Sequence, residues 1–256
     1  MGKAAILQPS YLPWLGFFEQ MYICDIFVYL DNVQYTKNDW RNRNRIKTRE
    51  GVQLLTVPVS FKFGQKINEA RINNSYPWHK KHFQALKTWY GKCEYFNKYS
   101  EELKEILYRE RAYVGELDIE LSTWMMKKLG INIKTVLASD LPVYSEDKQF
   151  RLIEICRAIS CNYLYEGKSG QNYIDIKLFK SHGITVEFQN YHHPYYNQRW
   201  LKEQGFLSHL SAIDLLFNHG PDSLSILSGR KVIVKPDKMV IRHVNDCTRG
   251  KRSADE

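Results

Sequence analysis

Apolar and polar positions fall into short blocks that change period along the chain. Ala4 to Leu7 is an apolar run bounded by the loop Gln8-Pro9-Ser10-Tyr11-Leu12-Pro13, and it reads as a strand. The spacing then predicts a helix over Trp14 to Tyr22 and a second strand over Ile26 to Leu30, ending in Asp31-Asn32. Gln53 to Val59 predicts a third strand, with Pro58 marking its edge or end, and Ile67 to Ile72 alternates and is expected to pair with it. Helical spacing follows at Phe83, Leu86, Trp89 and Tyr90 after Pro77, at Leu103, Ile106 and Leu107, and at Leu117, Leu121, Trp124, Met125 and Leu129. The last of these stops at Gly130, a residue suited to the left-handed turn that ends many helices. These apolar stripes read as core rather than as cofactor contacts.

Alternation returns in the second half. Ile133 to Ala138 predicts a strand ending in Ser139-Asp140, and Ser145 is expected to cap a helix with Glu146 and Asp147 in its first turn and Phe150, Ile153 and Ile159 inward. Tyr163 to Tyr165 is a short strand ending in Glu166-Gly167. A helix over Tyr173 to Ser181 leads to a strand over Thr185 to Gln189, which runs into Asn190-Tyr191-His192-His193. A helix over Ser208 to Asn218 stops at Gly220-Pro221. Short strands are expected at Val232 to Val234 and Met239 to Ile241, before a polar end, Gly250 to Glu256, that reads as disordered. Strands alternating with helices indicate an α/β fold with a mostly parallel sheet flanked by helices. One compact domain over 1–256 is expected, with its best seam in the helical stretch near 100–130 and a C-terminal tail over 223–256.

Composition narrows the class. The 43% hydrophobic and 25% charged residues are those of an ordinary globular protein, and the mean hydropathy of -0.48 speaks against a membrane-embedded body. No apolar run approaches the roughly 20 residues of a bilayer span, and no signal-type apolar core follows Met1-Gly2-Lys3, so a cytoplasmic location is expected. Five cysteines, scattered without a Cys-x-x-Cys pair, favour neither a disulfide framework nor a zinc site. A net charge of +9 calls for an anionic partner, and 14% aromatics suit flat ligands or sugar rings as well as a core.

Ligands of an open parallel sheet bind beyond the carboxyl ends of its strands. That rule selects Gln8 and Tyr11, Asp31 and Gln34, Ser139 and Asp140, Glu166 with Ser169, and Asn190 with His193. Between Asp31 and Lys47 lie Gln34, Lys37, Trp40, Arg41, Asn42, Arg43 and Lys47, a loop-like segment whose arginine forks suit phosphate or carboxylate and whose Trp40 suits stacking. RNA or single-stranded DNA would want the same ingredients. Trp78-His79-Lys80-Lys81-His82 places basic groups, Lys80 among them, at the start of a helix, where anions are attracted. Two histidines one turn apart without a nearby acid make a poor metal site. Glu166-Gly167-Lys168-Ser169-Gly170 looks like the end of a phosphate loop, but Asn162 stands where that motif needs glycine. Asp-x-Asp, GxGxxG and GxSxG are all absent.

The segments Ile6-Leu7-Gln8-Pro9-Ser10-Tyr11-Leu12-Pro13-Trp14-Leu15-Gly16, Asp31-Asn32-Val33-Gln34, Trp40 to Lys47, Tyr163 to Gly167 and Leu210 to Gly220 together resemble the WbqC-like family. The resemblance implies a bacterial enzyme of polysaccharide biosynthesis, typically O-antigen assembly, attaching an amino acid such as glycine, or another acyl group, to an amino sugar. The succession of strand, Gln-Pro loop, helix and a strand ending in Asp-Asn-Val-Gln is more distantly similar to pantothenate synthetase, and it implies a Rossmann-like fold of the HUP type with a helical insertion. That enzyme joins a carboxylate to an amine with ATP, so ATP with magnesium is one cofactor to consider. Its His-x-Gly-His motif is replaced here by Gln8-Pro9-Ser10-Tyr11.

The expected activity is transfer of an amino acid or acyl group to the amine of a nucleotide-linked sugar. Asp31, Glu166 and His193 are the candidate catalytic groups. Gln8, Pro9, Tyr11, Trp14, Gln34, Lys37, Trp40, Arg41, Asn42, Arg43, Lys47, Lys80, Ser169 and Tyr173 are the candidate substrate contacts, and no metal ligand is assigned. Alternatives are a non-catalytic nucleic-acid- or glycan-binding protein, and a glycosyltransferase lacking Asp-x-Asp.

Overall fold

A computed structural model describes residues 2–236 and 239–243. Its centre is a sheet of five strands, β1 (Gly2–Leu7), β2 (Ile26–Tyr29), β7 (Lys134–Leu137), β8 (Cys161–Glu166) and β9 (Thr185–Phe188), in the order β7-β2-β1-β8-β9 and parallel throughout. Successive residues of a strand face opposite sides, so each strand feeds two cores. Ala5, Phe27, Tyr29 and Tyr165 enter one apolar cluster, and Ile6, Val28 and Leu164 enter the other. Such strands are apolar throughout because helices cover both faces.

Helix α1 (Leu15–Ile23) crosses from β1 to β2 and buries Leu15, Phe17, Phe18 and Met21 against the first face. Between β2 and β7 the chain inserts two antiparallel pairs, β3 (Arg43–Lys47) with β4 (Val52–Thr56) and β5 (Val59–Ser60) with β6 (Arg71–Ile72). The expected helical insertion follows as α2 (Trp78–Tyr90), α3 (Phe96–Tyr108) and α4 (Val114–Leu129). Helix α4 ends as its sequence predicts, with Gly130 left-handed at φ 79°. The opposite face carries α5 (Lys148–Ala158) and α6 (Ile176–Ser181) through Leu152, Ile153, Ile155 and Phe179. Beyond β9 come α7 (Leu201–Gln204), β10 (Phe206–Ser208), α8 (Ile213–His219), α9 (Ser223–Leu227) and β11 (Ile241–His243), which pairs in parallel with β10.

Several expectations are corrected. Gln53 to Val59 does hold a strand, but it folds back on Arg43–Lys47 outside the main sheet. The α5 cap is Asp147, which accepts from the Gln149 and Phe150 N–H groups, and Phe150 is exposed instead of inward. Ser208 lies in β10, and the helix after it starts only at Ile213. Val232 to Val234 forms no strand, and the last strand is Ile241–His243 instead of Met239 to Ile241. Leu227 and Ile226 are buried, so the segment from 223 begins as a packed helix. Gly250 to Glu256 lies outside the described residues.

Candidate functional site

The order of the parallel strands reverses between β1 and β8, because β2 follows β1 on one side and β9 follows β8 on the other. The loops leaving these two neighbours therefore diverge and leave a crevice at the carboxyl edge of the sheet. The β1 loop supplies Gln8, Pro9, Tyr11 and Trp14, and the β8 loop supplies Glu166, Ser169 and Tyr173. The chain leaving β9 brings Gln189, Tyr191 and His193 to the same edge.

The β1 loop is tightly held. The buried Tyr11 donates its N–H to the Trp40 carbonyl at 2.9 Å, and its hydroxyl lies 2.8 Å from His82 Nδ1. Asn44 Nδ2 donates to the Tyr11 and Leu12 carbonyls. Ala212 donates its N–H to the Pro13 carbonyl at 2.8 Å, and Trp14 forms a bridge with Ser211. Trp14 then stacks on His209 at 5.2 Å and meets Tyr191 edge-on at 5.3 Å. Gly16 is required there, since a side chain on it would run into the Trp14 ring. Gln8, half-buried at the strand end, has no side-chain hydrogen bond among the described residues.

Glu166 is buried at the end of β8, where loss of water pushes its carboxyl up to about 7. The Tyr173 hydroxyl donates to its Oε1 at 3.1 Å. A side chain on Gly170 would lie 2.3 Å from Glu166 Cγ, so the glycine turn leaves room for this carboxyl to fold back. His193 is held through Nδ1, 3.0 Å from the Pro194 carbonyl. A carbonyl only accepts, so Nδ1 carries the proton and Nε2 the lone pair. That Nε2 is buried without a partner, and burial pulls the imidazole down to about 3.

The other candidates scatter. Asp31 Oδ1 and Oδ2 accept from the Ser139 N–H at 3.0 Å and Oγ at 2.7 Å, tying the end of β2 to the end of β7. Trp40 lies under Arg45, whose guanidinium sits 4.8 Å from the ring centre. Arg41 pairs with Asp39 at 3.1 Å, Asn42 donates to the Val57 carbonyl, and Arg43 bonds the Asn38 carbonyl. Lys37 and Lys80 are exposed, and Gln34, also exposed, forms a bridge with Lys66. Lys47 is buried and its Nζ is already engaged: it donates to Gln198 Oε1 at 3.0 Å and to the Gly205 carbonyl at 2.6 Å, and burial lowers it to about 8. An open groove of about 390 Å³ lies between β4 and the start of α2, on the His82 side of Tyr11.

Sequence reasoning passed over Gln20, Glu19 and Asn44. Gln189 Nε2 donates to the Gly16 carbonyl at 2.8 Å and to Glu19 Oε2 at 2.6 Å, and Gln20 Nε2 donates to Gln189 Oε1 at 3.2 Å. Gln20 also reaches Gly167, and its Oε1 is buried without a donor. Gln189 ends a predicted strand and was open to the strand-end rule; Gln20, an amide inside an apolar helix, carried no such signal. Among the described residues no cluster of His, Cys, Asp and Glu forms a metal centre, and no helix is long and apolar enough to cross a membrane.

The fold is that of a Rossmann-like α/β protein whose strand order reverses between β1 and β8. The model of the WbqC-like protein family matches residues 8–226, and the chain belongs to that family. It is 35% identical over 227 residues to the uncharacterized protein Rv1507c of Mycobacterium tuberculosis (strain ATCC 25618 / H37Rv), covering 87% of this chain and 96% of the relative. No solved structure matches.

Proposed function

We propose that the crevice is the active site of an enzyme of surface-polysaccharide (O-antigen) biosynthesis. It joins glycine, another amino acid or a related acyl group to the amine of a nucleotide-linked amino sugar. The observation that carries this reading is Glu166, a buried carboxyl at about 7 at the end of β8, on the sheet edge to which the neighbouring segments also bring the unpartnered Gln20 Oε1 and His193 Nε2. A sugar amine is an ammonium at neutral pH and must lose a proton before it attacks. A base near 7 accepts that proton efficiently, whereas an imidazole lowered to about 3 does not.

In this scheme the amine nitrogen bonds to the acyl carbon, the bond from that carbon to its leaving group breaks, and the amine proton passes to Glu166. Gln8 and the His193 lone pair orient the sugar, while Trp14 and Tyr191 form its apolar wall. Asp31 keeps the ends of β2 and β7 in register. Where the donor is a free carboxylate, ATP with magnesium would supply its activation. The chain has no His-x-Gly-His motif for it, so its phosphates would fall to groups such as the exposed Lys37 and the half-buried Arg43.

The burial of Arg45 and Lys47 and the pairing of Arg41 with Asp39 break up the basic run, which favours a small anionic ligand over a nucleic-acid face. Incubation with nucleotide-linked amino sugars, glycine and ATP, followed by mass spectrometry, tests the reading. A mass gain of one acyl unit supports it. No product across a broad donor panel, with tight salt-dependent DNA binding instead, contradicts it.

A further inference from the structure

A strand that forms only half of its main-chain bonds offers the rest to another chain, and natural edge strands blunt that offer with charge, proline or shortness. Strand β4 reads Val-Gln-Leu-Leu-Thr, without a charge or a proline. Its pairing with β3 alternates: the Val57 N–H donates to the Asn42 carbonyl at 2.7 Å and the Thr48 N–H to the Gly51 carbonyl at 2.8 Å. In that register Gln53 and Leu55 turn their main-chain groups toward β3, whereas Val52, Leu54 and Thr56 turn theirs away.

On β3 the outward groups are satisfied within the protein. The Arg45 carbonyl accepts from the Ser211 N–H at 2.9 Å, and the Lys47 N–H donates to the Tyr90 hydroxyl at 2.8 Å. On β4, His82 takes the Thr56 carbonyl, and among the described residues no hydrogen bond uses the N–H or the carbonyl of Leu54. These unused groups border the groove of about 390 Å³ between β4 and the start of α2. Leu54, Tyr76 and Lys81 are exposed along it, Trp78 is buried in its wall, and among the described residues no carboxylate lines it.

A groove between a free strand edge and a helix is the geometry in which an extended peptide adds as a further strand. Lys81 sets the sign of its charge. The first turn of α2 holds Lys80 and Lys81, no acid and no side-chain cap, so the positive end of the helix dipole adds to the two ammonium groups. We propose that the groove receives an extended acidic segment of a partner protein. The segment pairs with β4 through the N–H and carbonyl of Leu54, rests an apolar side chain on Leu54 and Tyr76, and sets a side-chain carboxylate against Lys81. A second copy of this chain fits the edge less well. Its own β4 carries α2 along the same edge through the His82–Thr56 bond, so two such edges would meet helix first, with like charges opposed.

An array of blocked heptapeptides, probed with the labelled full chain, tests the site. The peptides are randomised among apolar residues at alternate positions and carry glutamate, glutamine or lysine at the others. The glutamate set is expected to capture the protein. The best such peptide, added in solution, should slow amide exchange at Leu54 and Thr56 more than at Gln53 and Leu55, which β3 already holds. Lys81→Glu, at an exposed position, should weaken that peptide at least about tenfold. Leu54→Pro removes the outward N–H without breaking a bond to β3 and should do the same. Capture by the glutamine or lysine set as strong as by the glutamate set overturns the acidic partner, and no capture by any set overturns the site. So does binding that survives both substitutions, or exchange slowed only elsewhere. A concentration-dependent dimer abolished by Leu54→Pro assigns the edge to a second copy and overturns the proposal as well.

Discussion

Asn44 Nδ2 donates to the Leu12 carbonyl at 2.7 Å, and this bond fixes a residue held at φ 44°, a conformation that side chains with a Cβ rarely adopt. The same amide reaches the Tyr11 carbonyl at 3.1 Å. Two separate stretches of the family pattern, Gln8 to Pro13 and Trp40 to Lys47, are thus one structural unit, the second serving to shape the first.

Asn44→Ala removes the donor from two carbonyls beside the crevice. It is expected to cost about 1–3 kcal/mol of stability, read by urea unfolding. Amide exchange in residues 8–13 should accelerate more than exchange in β8. An unchanged midpoint with unchanged exchange would separate the two stretches again.

Glu166 carries a sign that can be checked without any substrate. Its folded value of about 7 lies above that of an exposed glutamate, so its contribution to stability is present below about 4.5 and lost as pH rises through 7. Glu166→Gln keeps the volume and removes the ionisation. It should be more stable than wild type at pH 8 by on the order of 1–3 kcal/mol, with the difference vanishing near pH 4. Equal denaturant midpoints at both values would show that the carboxyl is not held up by burial.

His82 works in the opposite sense. Burial lowers its imidazole to about 4, so between pH 6.5 and about 4 the unfolded chain binds a proton that the folded chain refuses. Stability is therefore lost as pH falls through this window, by at most about 1.4 kcal/mol per pH unit from this one group. Comparing wild type with His82→Asn between pH 7 and 4 isolates the effect, and the variant should show the shallower loss. Parallel curves would mean that burial does not hold the His82 imidazole down.

Gly170→Ala should disturb Glu166 directly, because the new Cβ would lie 2.3 Å from Glu166 Cγ and 3.2 Å from Phe188 Cε1. Overpacking of this kind costs about 1–3 kcal/mol. Thermal unfolding should register that loss, and the pH dependence of stability assigned to Glu166 should shrink with it. A variant as stable as wild type with the same pH dependence would show that the turn yields without moving the carboxyl.

The parallel sheet was legible because its strands are short apolar runs ending in polar residues, and that period survives any surrounding sequence. Arg43–Lys47 was not, since a strand written Arg-Asn-Arg-Ile-Lys has the composition of a loop. Its polar side chains are buried by pairing with β4, by the Asn44 bonds and by the Lys47 contacts to Gln198 and Gly205, all made across long stretches of chain. Lys47 drew attention as a phosphate ligand for the same reason, because a charge in sequence does not reveal whether it points outward. Gln8, Tyr11, Trp14, Glu166 and His193 did gather at one edge, because the strand-end rule depends only on where strands stop. The open edge of β4 became visible only once its pairing register with β3 was known.

The most direct measurement compares kcat and sugar-nucleotide affinity in wild type and Glu166→Gln, using the nucleotide-linked amino sugar that yields product. The glutamine should bind the sugar with a Kd within about threefold of wild type while kcat falls by about 10²–10³, and the wild-type rate should rise with pH through about 7. A variant that retains wild-type kcat and the same pH profile would contradict the account.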